Sequence, residues 1–226
     1  MGMGGSRDAL SHILYQRCFW LFTTLFVTIG AVSFVPPSDH GRLVLSSVNM
    51  ALLITTVAAV GRTRLALLIA LLLTFPAVTF QYLGLWLDSD HYLAFSWLFS
   101  ASLYFVTLCY LLRYVFQPRV MTQDKLFGAA AAYLMIGVFW AYLYAIVGHF
   151  FPHSYLVLGQ EGHLVYADSL YLSITVLTST GFGDVVPLTR QARGLCMIEQ
   201  LAGALFVAIL IARLSGVYPP RENYVE

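Results

Sequence analysis

Charge is what this sequence most lacks. Asp, Glu, Lys and Arg make up 10% of its 226 residues, against 59% hydrophobic residues and a mean hydropathy of +0.77. A chain so composed has too little polar surface to cover a core in water, so a soluble globular fold is excluded. The formal net charge is +1, so nothing suggests nucleic acid or an acidic partner. Cysteine is scarce too: Cys18, Cys109 and Cys196 each lie in an apolar run without ligand-like spacing, which argues against a disulfide framework or a thiolate metal site and predicts buried core thiols. The sequence has no repeats, no low-complexity tract, no phosphate-binding loop, no nucleophile elbow and no zinc-protease motif, so neither enzymatic chemistry nor a cofactor is expected.

What is present in abundance is long apolar runs. Five stretches free of Asp, Glu, Lys and Arg run from Cys18 to Ser38, Leu43 to Gly61, Leu65 to Leu87, His91 to Leu112 and Leu126 to His149. A sixth, Gly194 to Ala212, is broken only by Glu199. Each approaches or exceeds the length needed to cross about 30 Å of hydrocarbon at roughly 1.5 Å per residue. The first run is too long for a signal core and no small-residue cleavage site follows it, so it is read as a retained helix closed by Pro36 and Pro37. Pro76 is expected to kink the third. The opening MGMGGS formally fits an acylation pattern and is read as a leader instead.

With a cytoplasmic N-terminus, Arg7, Arg17, Arg62, Arg64, Arg113, Arg119, Lys125, Arg213 and Arg221 fall inside, and only Arg42, Arg190 and Arg193 outside. That bias orients the chain as a multi-pass cell-membrane protein with both termini in the cytoplasm. The fourth run contains no Lys or Arg, so it has no charge to move through the field, and the first four helices are not expected to sense voltage.

Between the fifth and sixth runs, Ala167 to Pro187 reads ADSLYLSITVLTSTGFGDVVP. Its first part is short and apolar, with Asp168 as the expected N-cap of a helix of about three turns ending near Thr178. Then come Thr178, Ser179, Thr180, Gly181, Phe182, Gly183 and Asp184. Glycine reaches positive φ without steric cost, so glycines at alternate positions let successive carbonyls turn to one side and form a ladder of oxygens. The helix C-terminus behind them carries partial negative charge, which favours a cation in front of it.

These residues resemble the pore helix and selectivity filter of the tetrameric potassium channels, whose pattern is Thr-Val-Gly-Tyr-Gly-Asp. Ser179 takes the Thr position, Thr180 the Val, Gly181, Phe182 and Gly183 the Gly-Tyr-Gly, and Asp184 the Asp. The resemblance implies potassium ions held at Ser179, Thr180, Gly181 and Phe182, with Gly183 completing the filter. Ser179 keeps a hydroxyl ligand, while Thr180 adds a hydroxyl that needs a partner behind the filter. The family's aromatic partner for the filter acid falls at Tyr171, opposite Asp184. Its inner-helix hinge falls at Gly203, with small-residue packing as the other reading of that glycine. Val207 and either Leu210 or Ile211 then line an apolar cavity.

The fold so implied is an all-α polytopic membrane protein of six transmembrane helices plus a re-entrant pore helix and filter. Because the chain carries a single filter, a closed ring needs several copies, and the family's arrangement is a fourfold homotetramer in membrane lipid. The expected divisions are a four-helix domain over 1–116, a cytoplasmic connector over 117–125, a pore domain over 126–218 and a short tail over 219–226. Within the pore domain the outer helix takes 126–149, a turret 150–166, the pore helix 168–178, the filter 179–183 and the inner helix 194–215. In the turret, YLVL, GQEG and HLVY suggest a hairpin with a four-residue turn, and His149, His153 and His163 are read as solvent-facing.

The function implied is passive, potassium-selective conduction. A poorly selective cation channel remains the alternative within the class, and a non-conducting membrane sensor or accessory transport subunit the one outside it. Glu199, the one acid well inside a spanning run, needs a partner. Thr175, Ser173 and Gln200 are its expected neighbours, and anchoring the inner helix against the pore helix is its expected task.

Overall fold

The structure is a computed structural model that describes residues 17–35, 39–60, 64–87, 89–117, 122–161 and 164–217. The leader, the Pro36–Pro37 stop, His163 and the tail over 219–226 lie outside the described residues. The elements run α1 (Arg17–Phe34), α2 (Asp39–Val60), α3 (Arg64–Trp86), α4 (Asp90–Val115), α5 (Gln123–Phe150), β1 (Tyr155–Val157), β2 (Gln160–Glu161), α6 (Tyr166–Leu177), β3 (Val185–Pro187) and α7 (Arg190–Val217). The fold is all-helical apart from one small sheet. By length and composition, α3, α4, α5 and α7 can each cross a membrane, while α1 and α2 carry apolar runs over Cys18–Val32 and Val44–Ala59. Large apolar side chains, among them Phe34, Phe75 and Trp86, point outward and are exposed, as a lipid-facing surface requires.

The helix at the centre is α5, which packs against α1, α4, α6 and α7. Its buried face carries Gly128, Ala129, Ala131, Ala132, Gly137, Ala141 and Ala145 between larger residues such as Met135 and Tyr144, and small residues let helix backbones approach closely where no hydrophobic driving force separates protein from lipid. Thr122 caps α5, its hydroxyl accepting from the Lys125 amide at 3.3 Å. Pro76 sits inside an unbroken α3.

A polar knot unforeseen in the sequence holds the first helices to α5. Asn49 Oδ1 on α2 accepts from Tyr104 Oη on α4 at 3.0 Å and Tyr142 Oη on α5 at 2.9 Å. Its amide donates to Gln81 Oε1 on α3 at 2.9 Å, and Gln81 in turn donates to Ser46 Oγ at 3.1 Å. At the other end of the bundle, Arg213 on α7 donates to the Gln117 carbonyl just after α4.

The turret departs from expectation. The β1–β2 hairpin turns on two residues, Leu158 and Gly159, because Val157 pairs with Gln160 and Leu156 with Glu161. Both turn residues have positive φ, +50° and +81°, the signature of the turn that matches strand twist. The four-residue turn is therefore corrected, and of HLVY the described residues form no strand: Leu164 and Val165 lie in no element and Tyr166 opens α6. The other edge of β1 pairs instead with β3, Leu156 opposite Val186 and Val157 opposite Val185, which ties the turret to the chain that leads into α7. All three cysteines are free, but only Cys18 is buried; Cys196 is half-buried and Cys109 exposed, so the expectation of three core thiols is corrected for those two.

Candidate functional site

The site is built where α6 stops. Its N-cap residue is Val165 and Asp168 stands in the first turn, three residues later than the capping position expected of it. Burial pushes the Asp168 carboxyl up from the ordinary range, and the neighbouring Asp184 adds to the shift. At the C-terminal end the Thr178 amide bonds Ile174 O at 3.0 Å and the Ser179 amide Val176 O at 2.9 Å. The chain then leaves the helical path, because the Thr180 and Gly181 amides both turn back to Thr175 O, at 2.8 and 3.3 Å.

From there the sign of φ alternates. Ser179, Gly181 and Gly183 stand at +57°, +56° and +84°, and neither Thr180 nor Phe182 is positive. The alternation anticipated at the glycines therefore begins one step earlier, on a serine. Left-handed backbone costs a residue with a Cβ roughly 1–2 kcal/mol, and nothing in the sequence pointed to it. Residues Thr178 to Gly183 are all exposed, between an apolar helix and an apolar strand.

Side chains brace this loop. Thr178 Oγ1 donates to Ile174 O at 2.7 Å. Its single proton is thereby used, so in the 2.8 Å contact with Thr180 Oγ1 Thr180 donates, and the hydroxyl that needed a partner has one. Tyr171 Oη donates to Asp184 Oδ2 at 2.7 Å, and the bond to the carboxylate raises the Tyr171 phenol above its ordinary value. The Tyr171 ring stacks on Phe182, with centroids 6.3 Å apart and planes 12° from parallel. Asp184 Oδ1 accepts from the Val185 amide at 3.1 Å, and Asp184 O from the Leu158 amide at 2.7 Å, so the turret turn holds the loop's exit.

Behind the loop, Gly203 on α7 is buried against the end of α6. A Cβ there would stand 2.5 Å from Leu177 O and 2.8 Å from Leu177 Cδ1, and the same carbonyl accepts from Tyr133 Oη at 3.3 Å. Of the two readings of Gly203, close packing is the one with a contact behind it. Along α7, Val207 and Ile211 are exposed while Leu210 is half-buried against the core, so the exposed face carries Ile211 rather than Leu210. Glu199 is fully buried. Ser173 Oγ lies 2.5 Å from its Oε1, and Tyr144 Oη donates to Oε2. Ser173 was among the neighbours expected, Thr175 and Gln200 make no bond to the carboxyl, and Tyr144 was missed because α5 lies far away in sequence. Among the described residues no cluster of three or more His, Cys, Asp and Glu could hold a metal ion. His149 packs edge-on against His91, at 5.5 Å between ring centroids.

An exposed ladder of backbone with alternating handedness, set at the partial negative end of an apolar helix, can replace water around a cation. Comparison with known proteins points the same way. Residues 132–218 match the family described as "Ion channel". The chain is 33% identical over 87 residues to "Protein LctB" of Bacillus caldotenax, an alignment covering 32% of this chain and 63% of that protein, just under two thirds of its length. It is 26% identical over 81 residues to "Potassium channel protein kcv" of Paramecium bursaria Chlorella virus 1, covering 34% of this chain and 85% of that one. No solved structure matches the chain.

Proposed function

From the match of residues 132–218 to the ion channel family, we propose that this membrane protein is a channel and not an enzyme, and that it conducts potassium passively and selectively through a filter formed by Ser179, Thr180, Gly181, Phe182 and Gly183. The observation that carries the reading is the alternation of φ from Ser179 to Gly183. The similarity to a protein named as a potassium channel supports the choice of ion. Carbonyls of Thr180, Gly181 and Phe182, with the Ser179 hydroxyl at the inner end, take the place of hydration water. Tyr171 and Asp184 hold the outer end, and the exposed α7 face with Val207 and Ile211 lines the cavity below.

Non-helical backbone at membrane depth is stable only where it lines water or is covered by protein. The exposed residues 178–183 therefore call for further copies, and a homotetramer closes four loops about one axis. In this reading α1 to α5 and α7 are the six spans, α6 is re-entrant, and both termini are cytoplasmic in the cell membrane. Arg113 at the end of α4 is explained by the bias of basic residues to the inside, so the first four helices act as a collar and not as a voltage sensor.

Reconstitution into liposomes tests the reading. Potassium and rubidium flux is expected to exceed sodium flux by more than about tenfold, a difference of ~1.4 kcal/mol, with an open probability that changes little across a wide voltage range. Comparable sodium and potassium flux would favour the poorly selective alternative permitted by Ser179 and Thr180, and no flux at all the non-conducting one. A steep voltage curve worth several charges per channel would overturn the collar.

Within this reading Tyr171→Phe is expected to keep the stack on Phe182 and lose the bond to Asp184. The lost bond loosens the hold on the outer end of the loop, so conduction in sustained recordings should run down several-fold faster than in the parent. An unchanged time course would remove Tyr171 from the support of the filter.

A further inference from the structure

Glu199 is an acid with no exposure at all, and its surroundings can be read by counting protons. Three close oxygen pairs meet at this point: Tyr144 Oη with Glu199 Oε2, Ser173 Oγ with Glu199 Oε1 at 2.5 Å, and Ser173 Oγ with Gly137 O at 2.7 Å. The two hydroxyls bring one proton each, and the backbone carbonyl brings none. A carboxylate would also bring none, so one of the three pairs would set lone pair against lone pair in the interior, which buried polar groups avoid. One proton on the carboxyl removes the conflict: Tyr144 donates to Oε2, Oε1 donates to Ser173, and Ser173 donates to Gly137 O.

Among the described residues no cation pairs with the Glu199 carboxyl. The titratable groups facing Glu199 among the described residues are Tyr133 and Tyr144 on α5, Tyr155 on β1 and Cys196 on α7, and none of these is a cation. Ser173, the contact from α6, does not titrate.

We propose that Glu199 carries a proton in the folded channel and is a positioning residue for the filter, its neutral carboxyl relaying one hydrogen-bond chain from α5 through α7 and α6 back to α5. The chain fixes Ser173, and two residues on from Ser173 is Thr175, whose carbonyl holds the Thr180 and Gly181 amides. A neutral group there also keeps a fixed charge from standing behind the ladder of carbonyls.

Only the flux arm of the test rests on the proposed conduction. Infrared spectra of the full chain in liposomes, with and without 13C-labelled glutamate, are expected to show at neutral pH a protonated-carboxyl band that shifts with the label. The chain has four glutamates, so the band should persist when Glu161, Glu222 and Glu226 are all changed to glutamine, and vanish in Glu199→Gln. In the flux arm Glu199→Gln, whose amide can donate to Ser173 and accept from Tyr144, should match the parent. Glu199→Ala, which breaks the chain, should lower rubidium flux by about tenfold or more. Carboxylate bands alone in the chain with Glu199 as its sole glutamate would overturn the proposal, even if Glu199→Gln failed to assemble. Flux lost equally in Gln and Ala would overturn the positioning role. A protein that proves not to conduct would leave the infrared result standing and sink the conduction reading instead.

Discussion

Gly183→Ala is expected to abolish rubidium uptake by liposomes carrying this protein. The argument isolates backbone conformation from packing. At Gly183 φ is +84° and a Cβ would meet nothing within 4 Å, so an alanine there has room within its own chain and is opposed only by its own backbone. That opposition is roughly 1–2 kcal/mol per residue, or about 4–8 kcal/mol if, as in the proposed homotetramer, four copies adopt the conformation together. The chain's cheapest response is to let φ go negative, which swings a ladder carbonyl away from the ion path. Gly30 is the control. It too has open space around its Cβ position, but it lies within α1 and its φ is not positive, so Gly30→Ala should leave uptake unchanged. Uptake retained by Gly183→Ala would remove the alternation of φ as the basis of conduction.

The part of this site that could be read from sequence is the part whose chemistry is local. Two glycines with one residue between them specify a backbone, whereas the Tyr171–Asp184 pair was implied by the resemblance to the potassium channels and not by the residues' spacing. The positive φ of Ser179 was hidden because serine carries no mark of left-handed backbone; it follows from the way Thr175 O gathers two amides beyond the helix end. The first-turn placement of Asp168 and the two-residue turn at Leu158 and Gly159 were missed for a different reason. Each is settled by pairing with a distant partner, above all β3, which is separated from β1 in sequence by the whole of α6 and residues 178–184. Asn49 and Gln81 read as isolated polar residues in apolar runs, and only the packing of α2, α3, α4 and α5 makes them one knot. Glu199 shows both sides of this limit: burial of an acid in a span demanded partners, but which hydroxyls would supply them depended on a crossing of helices.

Gly203→Ala is the second substitution with a large expected effect, and here the cause is space. Its Cβ would come within 2.5 Å of Leu177 O and 2.8 Å of Leu177 Cδ1. The leucine methyl can rotate aside, but the carbonyl belongs to the last residue of α6 and is held by Tyr133, so α7 must draw back from the pore helix. Overpacking of this kind costs about 1–3 kcal/mol. Because side chains four residues apart share a helix face, the shift also strains the Glu199–Ser173 contact one turn away. For a chain of this size each kcal/mol lowers the unfolding midpoint by roughly 2–4 °C, so the purified variant should melt several degrees below the parent and conduct poorly. Adding Leu177→Ala relieves the methyl contact but leaves the carbonyl in place, and it should restore neither property. A glycine kept as a bending point makes a different demand, since alanine would then change the opening of the channel without lowering its melting temperature. That outcome would overturn the packing assignment of Gly203.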